Sequence, residues 1–131
     1  MHDYLTVTKH LDNLIWVWAG SRQMGTMPPL GKYYPGDAYV DIVGFDMYVD
    51  VFDQAAMNAY TTLQAYNKPF ALAEYGPATN TTATTGTLDY TTLISQIKAL
   101  MPRTCYFRVW ADYIGPATGT PRAWYPQRPA S

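Results

Sequence analysis

Glutamate is almost absent from this sequence: of its ten acidic residues, only Glu74 is a glutamate. Chemistry that needs two glutamates within one chain is therefore excluded. Cysteine is equally scarce, because Cys105 is the only one, which rules out an internal disulfide and a cysteine metal cluster. Cys105 opens an apolar run, so we expect it to pack as a small hydrophobic side chain.

Charge and long apolar runs are also sparse. The net charge is −1 and the nine basic residues are scattered, so the sequence offers no basic surface suited to nucleic acid or to an anionic membrane. No apolar run approaches the roughly 20 residues that cross a bilayer. The N-terminal residues 1–4 have no basic region followed by an apolar one, so we expect no signal peptide. We therefore expect neither nucleic acid nor membrane as a partner.

Aromatic residues, by contrast, are plentiful: the 131 residues include twelve tyrosines and four tryptophans. A chain of this length has room for one domain, residues 1–131, with a core large enough to fold without disulfides. Aromatic rings fill such a core, but they also form platforms on which sugar rings stack. Composition alone favours the core.

Strand-like and helix-like segments alternate along the chain. The segments with strand character are residues 14–19, 40–48, 70–75 and 105–112. The predicted helices are residues 4–11, 54–66 and 90–100, the second capped by Asp53 and the third by Asp89. This repeated order predicts parallel strands joined by right-handed helical crossovers, in a doubly wound sheet or in a β/α barrel.

Glu74 stands near the end of the strongest strand-like run, residues 69–77, and the Gly-Pro pair at the end of that run breaks the strand. A strand inside a barrel is nearly all apolar, so a carboxylate at its end is out of place structurally. Enzymes place their chemistry at the carboxyl ends of barrel strands, which indicates a catalytic role for Glu74. The alternative is a structural carboxylate that pairs with an arginine or caps a loop.

Side chains alternate along a strand, so the parity of each position predicts which residues face the barrel axis together. If Glu74 faces inward, Phe70 and Leu72 share its face. Applied to all four strands, parity predicts one set of side chains at the strand ends: Trp18, Asp46, Tyr48, Glu74 and Trp110. The alternative for the tryptophans is filling of the barrel, and for Asp46 an ion pair with Arg108.

This converging set has an interpretable chemistry. Glu74 supplies a carboxylate nucleophile, Tyr48 a hydroxyl that can hydrogen-bond to it, and Asp46 a second acid. The indoles of Trp18 and Trp110 are suited to stacking on a pyranose ring. Together these features indicate a site that cleaves glycosidic bonds.

One long segment resembles a known family. Residues 34–48, YPGDAYVDIVGFDMY, resemble without a gap the fifth-to-sixth strand signature of family 26 glycoside hydrolases, the β-mannanase family. Three further segments look like the fifth, seventh and eighth strands of that family: residues 13–18, 68–76 and 107–110. The resemblance implies an α/β fold made of strands five to eight, the C-terminal half of a (β/α)8 TIM barrel.

The resemblance also implies roles for individual residues. Glu74 would be the nucleophile of a retaining mechanism, Tyr48 its hydrogen-bond partner, and Trp110 the platform beneath the sugar at the cleavage point. The residues expected to bind substrate are Trp18, Asp46, Tyr75 and Trp110. The implied substrate is a β-1,4-linked polysaccharide, a mannan-type hemicellulose or a related β-glucan, and the implied location is outside the cell. No metal and no cofactor is expected.

The second catalytic carboxyl group of that family is missing from this chain. The family's general acid/base is a glutamate at the end of the fourth strand, and retaining hydrolysis needs two carboxyl groups about 5 Å apart. The acid must therefore be an aspartate or come from another molecule. A half-barrel also leaves strand edges and an apolar face open, so we expect a homodimer that completes the barrel. The alternatives are a non-catalytic carbohydrate-binding half-barrel and an inactive fragment of a mannanase.

Overall fold

Four parallel strands in sequence order form the centre of the protein. The computed structural model describes residues 1–21, 27–49, 51–76 and 90–109, together with the backbone of 113–114 and 121–122. The strands of the main sheet are β1 (Val17–Ser21), β2 (Ile42–Tyr48), β3 (Phe70–Gly76) and β4 (Thr104–Val109). Each pairs in parallel with the next, which confirms the predicted α/β architecture. Two short strands, β5 (Tyr113–Ile114) and β6 (Pro121–Arg122), form a separate antiparallel pair.

Two helices connect the strands. Helix α1 (Gln54–Gln64) begins where predicted, because the Asp53 carboxylate accepts a hydrogen bond of 2.9 Å from the backbone N–H of Ala56. It ends two residues earlier than predicted, and Asn67 just beyond it takes a left-handed conformation with φ of 51°. Helix α2 (Tyr90–Leu100) matches its prediction, whereas its predicted cap, Asp89, lies outside the described residues. Neither of these helices is long and apolar enough to span a bilayer.

The N-terminal segment differs from its prediction. Instead of a helix over residues 4–11, the structure has one π-helical turn, Tyr4–Thr8, closed by a 3.0 Å hydrogen bond from the Lys9 N–H to the Tyr4 carbonyl. His10, with φ of 53°, ends the turn. None of the residues in this turn is buried, so no apolar face anchors a longer helix.

The core lies between the sheet and the two helices. On the sheet side its main residues are Val43, Phe45, Met47, Phe70, Leu72 and Tyr75, and on the helix side Tyr60, Leu63, Leu93 and Ile97. Rings meet at its centre, with Phe70 lying 4.9 Å from Tyr60 and 5.5 Å from Phe45 between centroids. We call the other side of the sheet, away from α1 and α2, the open face. It carries exposed side chains such as Val17, Tyr48 and Tyr106.

A β-bulge in β3 changes which residues reach the open face. Phe45 pairs with Leu72, but the next residue of β2, Asp46, pairs with Glu74, so β3 has one extra residue at Ala73. Phe70 and Leu72 face the helices below the bulge, and Glu74 faces the opposite side above it. The prediction that Phe70 and Leu72 share the face of Glu74 is therefore wrong, because the extra residue interrupts the alternation.

Strand β4 has a similar irregularity near its start. Phe70 pairs with Thr104 and Ala71 with Tyr106, so Cys105 is the residue left between them. Cys105 is exposed rather than packed as a small hydrophobic side chain. The prediction for Cys105 is wrong because the residue sits at a register shift in the outermost strand of this sheet, where neighbouring strands cover it from one side alone.

Candidate active site

Asp46 and Glu74 lie beside each other at the carboxyl ends of β2 and β3. They are partners in the parallel ladder, and adjacent strands are about 4.8 Å apart. Both side chains are partly buried and belong to the open face. The two carboxyl groups that parity brings together in the sequence are thus neighbours in the structure.

Tyr48 is bound to Glu74. The Tyr48 hydroxyl donates a hydrogen bond of 2.8 Å to Oε2 of the Glu74 carboxylate. The pKa of Tyr48 is raised, first by burial and then by this hydrogen bond and the negative charges of Glu74 and Asp46, while the charge of Arg108 opposes the shift. Tyr48 therefore keeps its proton and remains a donor. No other hydrogen bond reaches the Glu74 side chain from the described part of the chain, so Tyr48 is what orients it.

Asp46 has a different environment from Glu74. Burial, followed by repulsion from the negative charge of Glu74, raises the pKa of Asp46 to about 6. Within the residues that the structure describes, Asp46 makes no hydrogen bond and no ion pair, so the alternative of a salt bridge with Arg108 is not observed. Burial and a neighbouring negative charge both favour the protonated form of a carboxyl group, so Asp46 is in an environment that favours retention of its proton.

The outer strands add two polar residues to the open face. Phe107 of β4 packs against the core, so Arg108 after it points to the opposite side, as parity predicts. On β1, Ser21 is the ladder partner of Asp46 and is exposed. Ser21 was missed in the sequence because the predicted strand ended at residue 19. The predicted inward face of β1 also had the parity of Trp18, which is the opposite of the parity of Ser21.

Trp18 does not lie where the sequence predicts. It is the ladder partner of Val43, which is fully buried against the helices, so Trp18 is also on the helix side of the sheet. There it packs against the rings of Tyr34 and Tyr66, at centroid distances of 5.2 Å and 6.2 Å. The prediction that Trp18 converges with Glu74 is wrong, because the register of β1 against β2 puts it on the other face.

Tyr75 is likewise not brought to the open face. It is 1% exposed, its hydroxyl donates a hydrogen bond of 3.0 Å to the Val49 carbonyl, and its ring lies 6.5 Å from that of Phe52. Tyr75 therefore stabilises the end of β2 from within the core, which argues against the predicted contact with substrate. The predicted platform residue, Trp110, lies outside the described residues.

The arrangement suits acid-base or nucleophilic chemistry by side chains. Across the described ranges, no three His, Cys, Asp or Glu side chains are grouped so that they could hold a metal ion. What the open face offers is a carboxylate oriented by a tyrosine, a second carboxyl group and an arginine nearby.

Comparison with known proteins identifies the family to which this sheet belongs. The sequence model of Glycosyl hydrolase family 26 matches residues 1–118. The chain belongs to this family. The resemblance noted in the sequence is thereby confirmed.

Curated relatives are consistent with the family. The mannan endo-1,4-beta-mannosidase of Bacillus subtilis strain 168 is 42% identical over 114 residues, which cover 86% of this chain and 28% of that protein. The mannan endo-1,4-beta-mannosidase A and B of Caldalkalibacillus mannanilyticus is 38% identical over 116 residues, which cover 88% of this chain and 21% of that protein. The chain thus spans less than a third of the length of these relatives.

Solved structures of similar proteins contain the same arrangement of strands and helices. A Bacillus subtilis mannanase superimposes with a TM-score of 0.68 at 40% identity, covering 85% of this chain and 30% of that one. The modular endo-beta-1,4-mannanase of Cellulomonas fimi gives a TM-score of 0.61 at 25% identity, covering 84% of this chain and 27% of that one. The four parallel strands therefore correspond to part of the TIM barrel of family 26 mannanases.

Proposed function

We propose that Glu74 is the nucleophile of a retaining glycoside hydrolase that cleaves β-1,4-linked mannan. The observation that carries this proposal is the hydrogen bond from Tyr48 to Oε2 of Glu74, at the carboxyl end of a barrel strand. The relatives named mannan endo-1,4-beta-mannosidases support mannan over other β-linked glycans. Since a polysaccharide is too large to enter a cell intact, the protein acts outside the cell.

The reaction has two steps. Glu74 attacks the anomeric carbon while an acid protonates the glycosidic oxygen, so the bond between the sugars breaks and a glycosyl-enzyme ester forms. Water, deprotonated by the same acid/base, then displaces Glu74 and releases the sugar. Tyr48 holds one carboxylate oxygen in place, which leaves the other to attack.

The acid comes from outside the four strands of the main sheet. Among the described residues Asp46 is the carboxyl group beside Glu74, but it starts from the same level of the sheet as Glu74 and its side chain is one methylene shorter. Its carboxyl group is therefore recessed beside Glu74 rather than placed across the glycosidic bond from it. Retaining hydrolysis requires the two groups to flank that bond about 5 Å apart.

A second copy of the 131-residue chain could supply the missing strands. β1 and β4 are the outermost strands of the main sheet, and apolar side chains such as Val17 and Tyr106 are exposed on the open face. Pairing of β1 in one copy with β4 of the other would close an eight-stranded barrel with two-fold symmetry. Both Glu74 carboxylates would then lie at one rim. Light scattering at micromolar concentration tests this homodimer, and a monodisperse monomer contradicts it.

Reducing-sugar release from mannan by the wild type and Glu74→Gln tests the proposed function. The glutamine keeps the shape of the side chain but cannot attack, so we expect product from the wild type alone and equal oligosaccharide affinity by calorimetry. The other candidate, a carbohydrate-binding half-barrel, predicts binding with no product from either protein. In both cases Trp110→Ala should weaken binding about ten-fold, since it removes an apolar stacking surface. A wild type that neither binds at millimolar ligand nor releases product contradicts both candidates.

A further inference from the structure

Gly76, the last residue of β3, lies directly beneath the ring of Tyr48. The two residues are ladder partners, and a Cβ atom added to Gly76 would lie 2.8 Å from both Cδ1 and Cε1 of Tyr48. Carbon atoms do not approach so closely, so a side chain at residue 76 requires the ring to move.

Space, and not backbone conformation, is what requires glycine at this position. Among the described glycines, positive φ angles occur at Gly31 and Gly36, whereas Gly76 has the ordinary conformation of a strand. The backbone there is also fixed, because the Val49 N–H donates a hydrogen bond of 3.0 Å to the Gly76 carbonyl. A methyl group at residue 76 would therefore displace the Tyr48 ring rather than the strand.

The position of the ring sets the position of its hydroxyl. Tyr48 is level with Gly76 in the ladder, yet its hydroxyl is bound to Glu74, two residues earlier on β3. The ring must therefore lie back along β3, over the surface that Gly76 leaves empty. Any side chain at residue 76 would lift the ring and draw the hydroxyl away from Oε2 of Glu74.

We infer that Gly76 is a positioning residue that acts through Tyr48: by leaving the ring room to lie across β3, it makes the hydrogen bond to Glu74 possible. Its effect on catalysis rests on the proposed function, because it matters only if Glu74 is the nucleophile. Its effect on the hydrogen bond between Tyr48 and Glu74 does not depend on the proposed function.

The hydrogen bond can be observed without any assay of activity. Because Glu74 is the only glutamate, carbon-13 labelling of the glutamate side-chain carboxyl gives one glutamate carboxyl signal in the NMR spectrum. Tyr48→Phe should move this signal by removing the donor. We expect Gly76→Ala to move it in the same direction and by a similar amount, and the double variant to move it no further than Tyr48→Phe alone. A Gly76→Ala signal at the wild-type position overturns the inference.

Gly20→Ala is the matched control. Gly20 is also a strand glycine, and an added Cβ would lie 2.7 Å from a side-chain atom, Cδ1 of Leu30. That contact is remote from Tyr48, so the Glu74 signal should stay in place. If Gly76→Ala does not fold, Tyr48→Ala/Gly76→Ala should fold, since it removes the ring that the methyl group meets. If this double variant also fails to fold, glycine is required at residue 76 by the backbone and not by the Tyr48 ring.

Activity gives a separate readout. Gly76→Ala should lower kcat/KM about as much as Tyr48→Phe, by about 10- to 100-fold, and the two losses should not multiply in the double variant. Multiplied losses contradict the inference. A wild type that releases no sugar contradicts the proposed function, while the NMR signals still decide the role of Gly76.

Discussion

Asp46 and Glu74 are ladder partners on adjacent parallel strands, and the negative charge of Glu74 adds to the burial that raises the pKa of Asp46 to about 6. Near neutral pH two carboxylates therefore share one small area of the open face. The hydrogen bond from Tyr48 goes to Glu74, and none reaches Asp46 from the residues described in the structure. Tyr48 thus orients the Glu74 side chain of this pair.

Tyr48→Phe should reduce kcat/KM by about 10- to 100-fold. The variant loses one hydrogen bond to a charged group, worth about 1.5–3 kcal/mol, at a side chain that is 38% exposed. Steady-state kinetics on mannan measure the effect. Tyr33→Phe, which changes a tyrosine that is 72% exposed, is the control and should leave the kinetics unchanged. Equal losses in the two variants would contradict the role of Tyr48.

Asp46→Asn should change the pH dependence of stability. The folded pKa of Asp46 is about 6 and its ordinary value is 3.8, so between these values the folded protein binds more protons than the unfolded chain. The wild type therefore loses stability as pH rises from about 4 to about 6, and the asparagine variant lacks this loss. After discounting for solvent screening of a half-buried group, the effect is on the order of 1 kcal/mol.

Thermal unfolding at several pH values measures this effect. The Tm difference between Asp46→Asn and the wild type should become more favourable to the variant from pH 4 to pH 7. Asp12→Asn, at an exposed aspartate, provides the comparison. A Tm difference for Asp46→Asn that stays constant over this range would show that Asp46 titrates alike in the folded and unfolded states.

Tyr75→Phe should affect stability and not binding. The buried hydroxyl donates to the Val49 carbonyl, and its removal leaves that acceptor unpaired, at a cost of about 1–3 kcal/mol. Denaturant unfolding measures the loss, and calorimetry with a manno-oligosaccharide should give an unchanged Kd. A weaker Kd with unchanged stability would restore the sequence-based prediction that Tyr75 contacts substrate.

Trp18→Ala should also lower stability while leaving affinity for the sugar unchanged. Trp18 packs against Tyr34 and Tyr66 on the helix side of the sheet, and truncation of a partly buried tryptophan costs about 2–4 kcal/mol. The two measurements are again denaturant unfolding and calorimetry. A stable variant with impaired sugar binding would place Trp18 at the substrate after all.

Much of this fold can be predicted from the sequence because it depends on local signals. The β2 and β3 strands are apolar runs, Asp53 is a helix cap, and Glu74 is a carboxylate where an apolar run ends. The pairing of Tyr48 with Glu74 follows from the positions of both residues at strand ends, and the hydrogen bond bears it out.

The wrong predictions concern positions where the backbone departs from regular geometry, or where the register between strands determines which face a side chain is on. Parity predicted Phe70 on the face of Glu74, but it assumes that no residue is inserted, and the bulge at Ala73 breaks that assumption. Trp18 was misplaced because the alternation within β1 says which residues share a face, not which face that is. The N-terminal pattern suited a helix, yet a helix without a buried side has little to stabilise it.

The bulge at Ala73 keeps the two ends of β3 on different alternations. If Ala73 instead paired regularly with Asp46, the alternation would continue without interruption, and every side chain beyond that point would exchange faces. The Glu74 carboxylate would then enter the apolar layer, and the Tyr75 ring would turn towards the solvent. A designer who transplants this carboxylate onto another barrel must therefore copy the irregularity of the strand together with the residue.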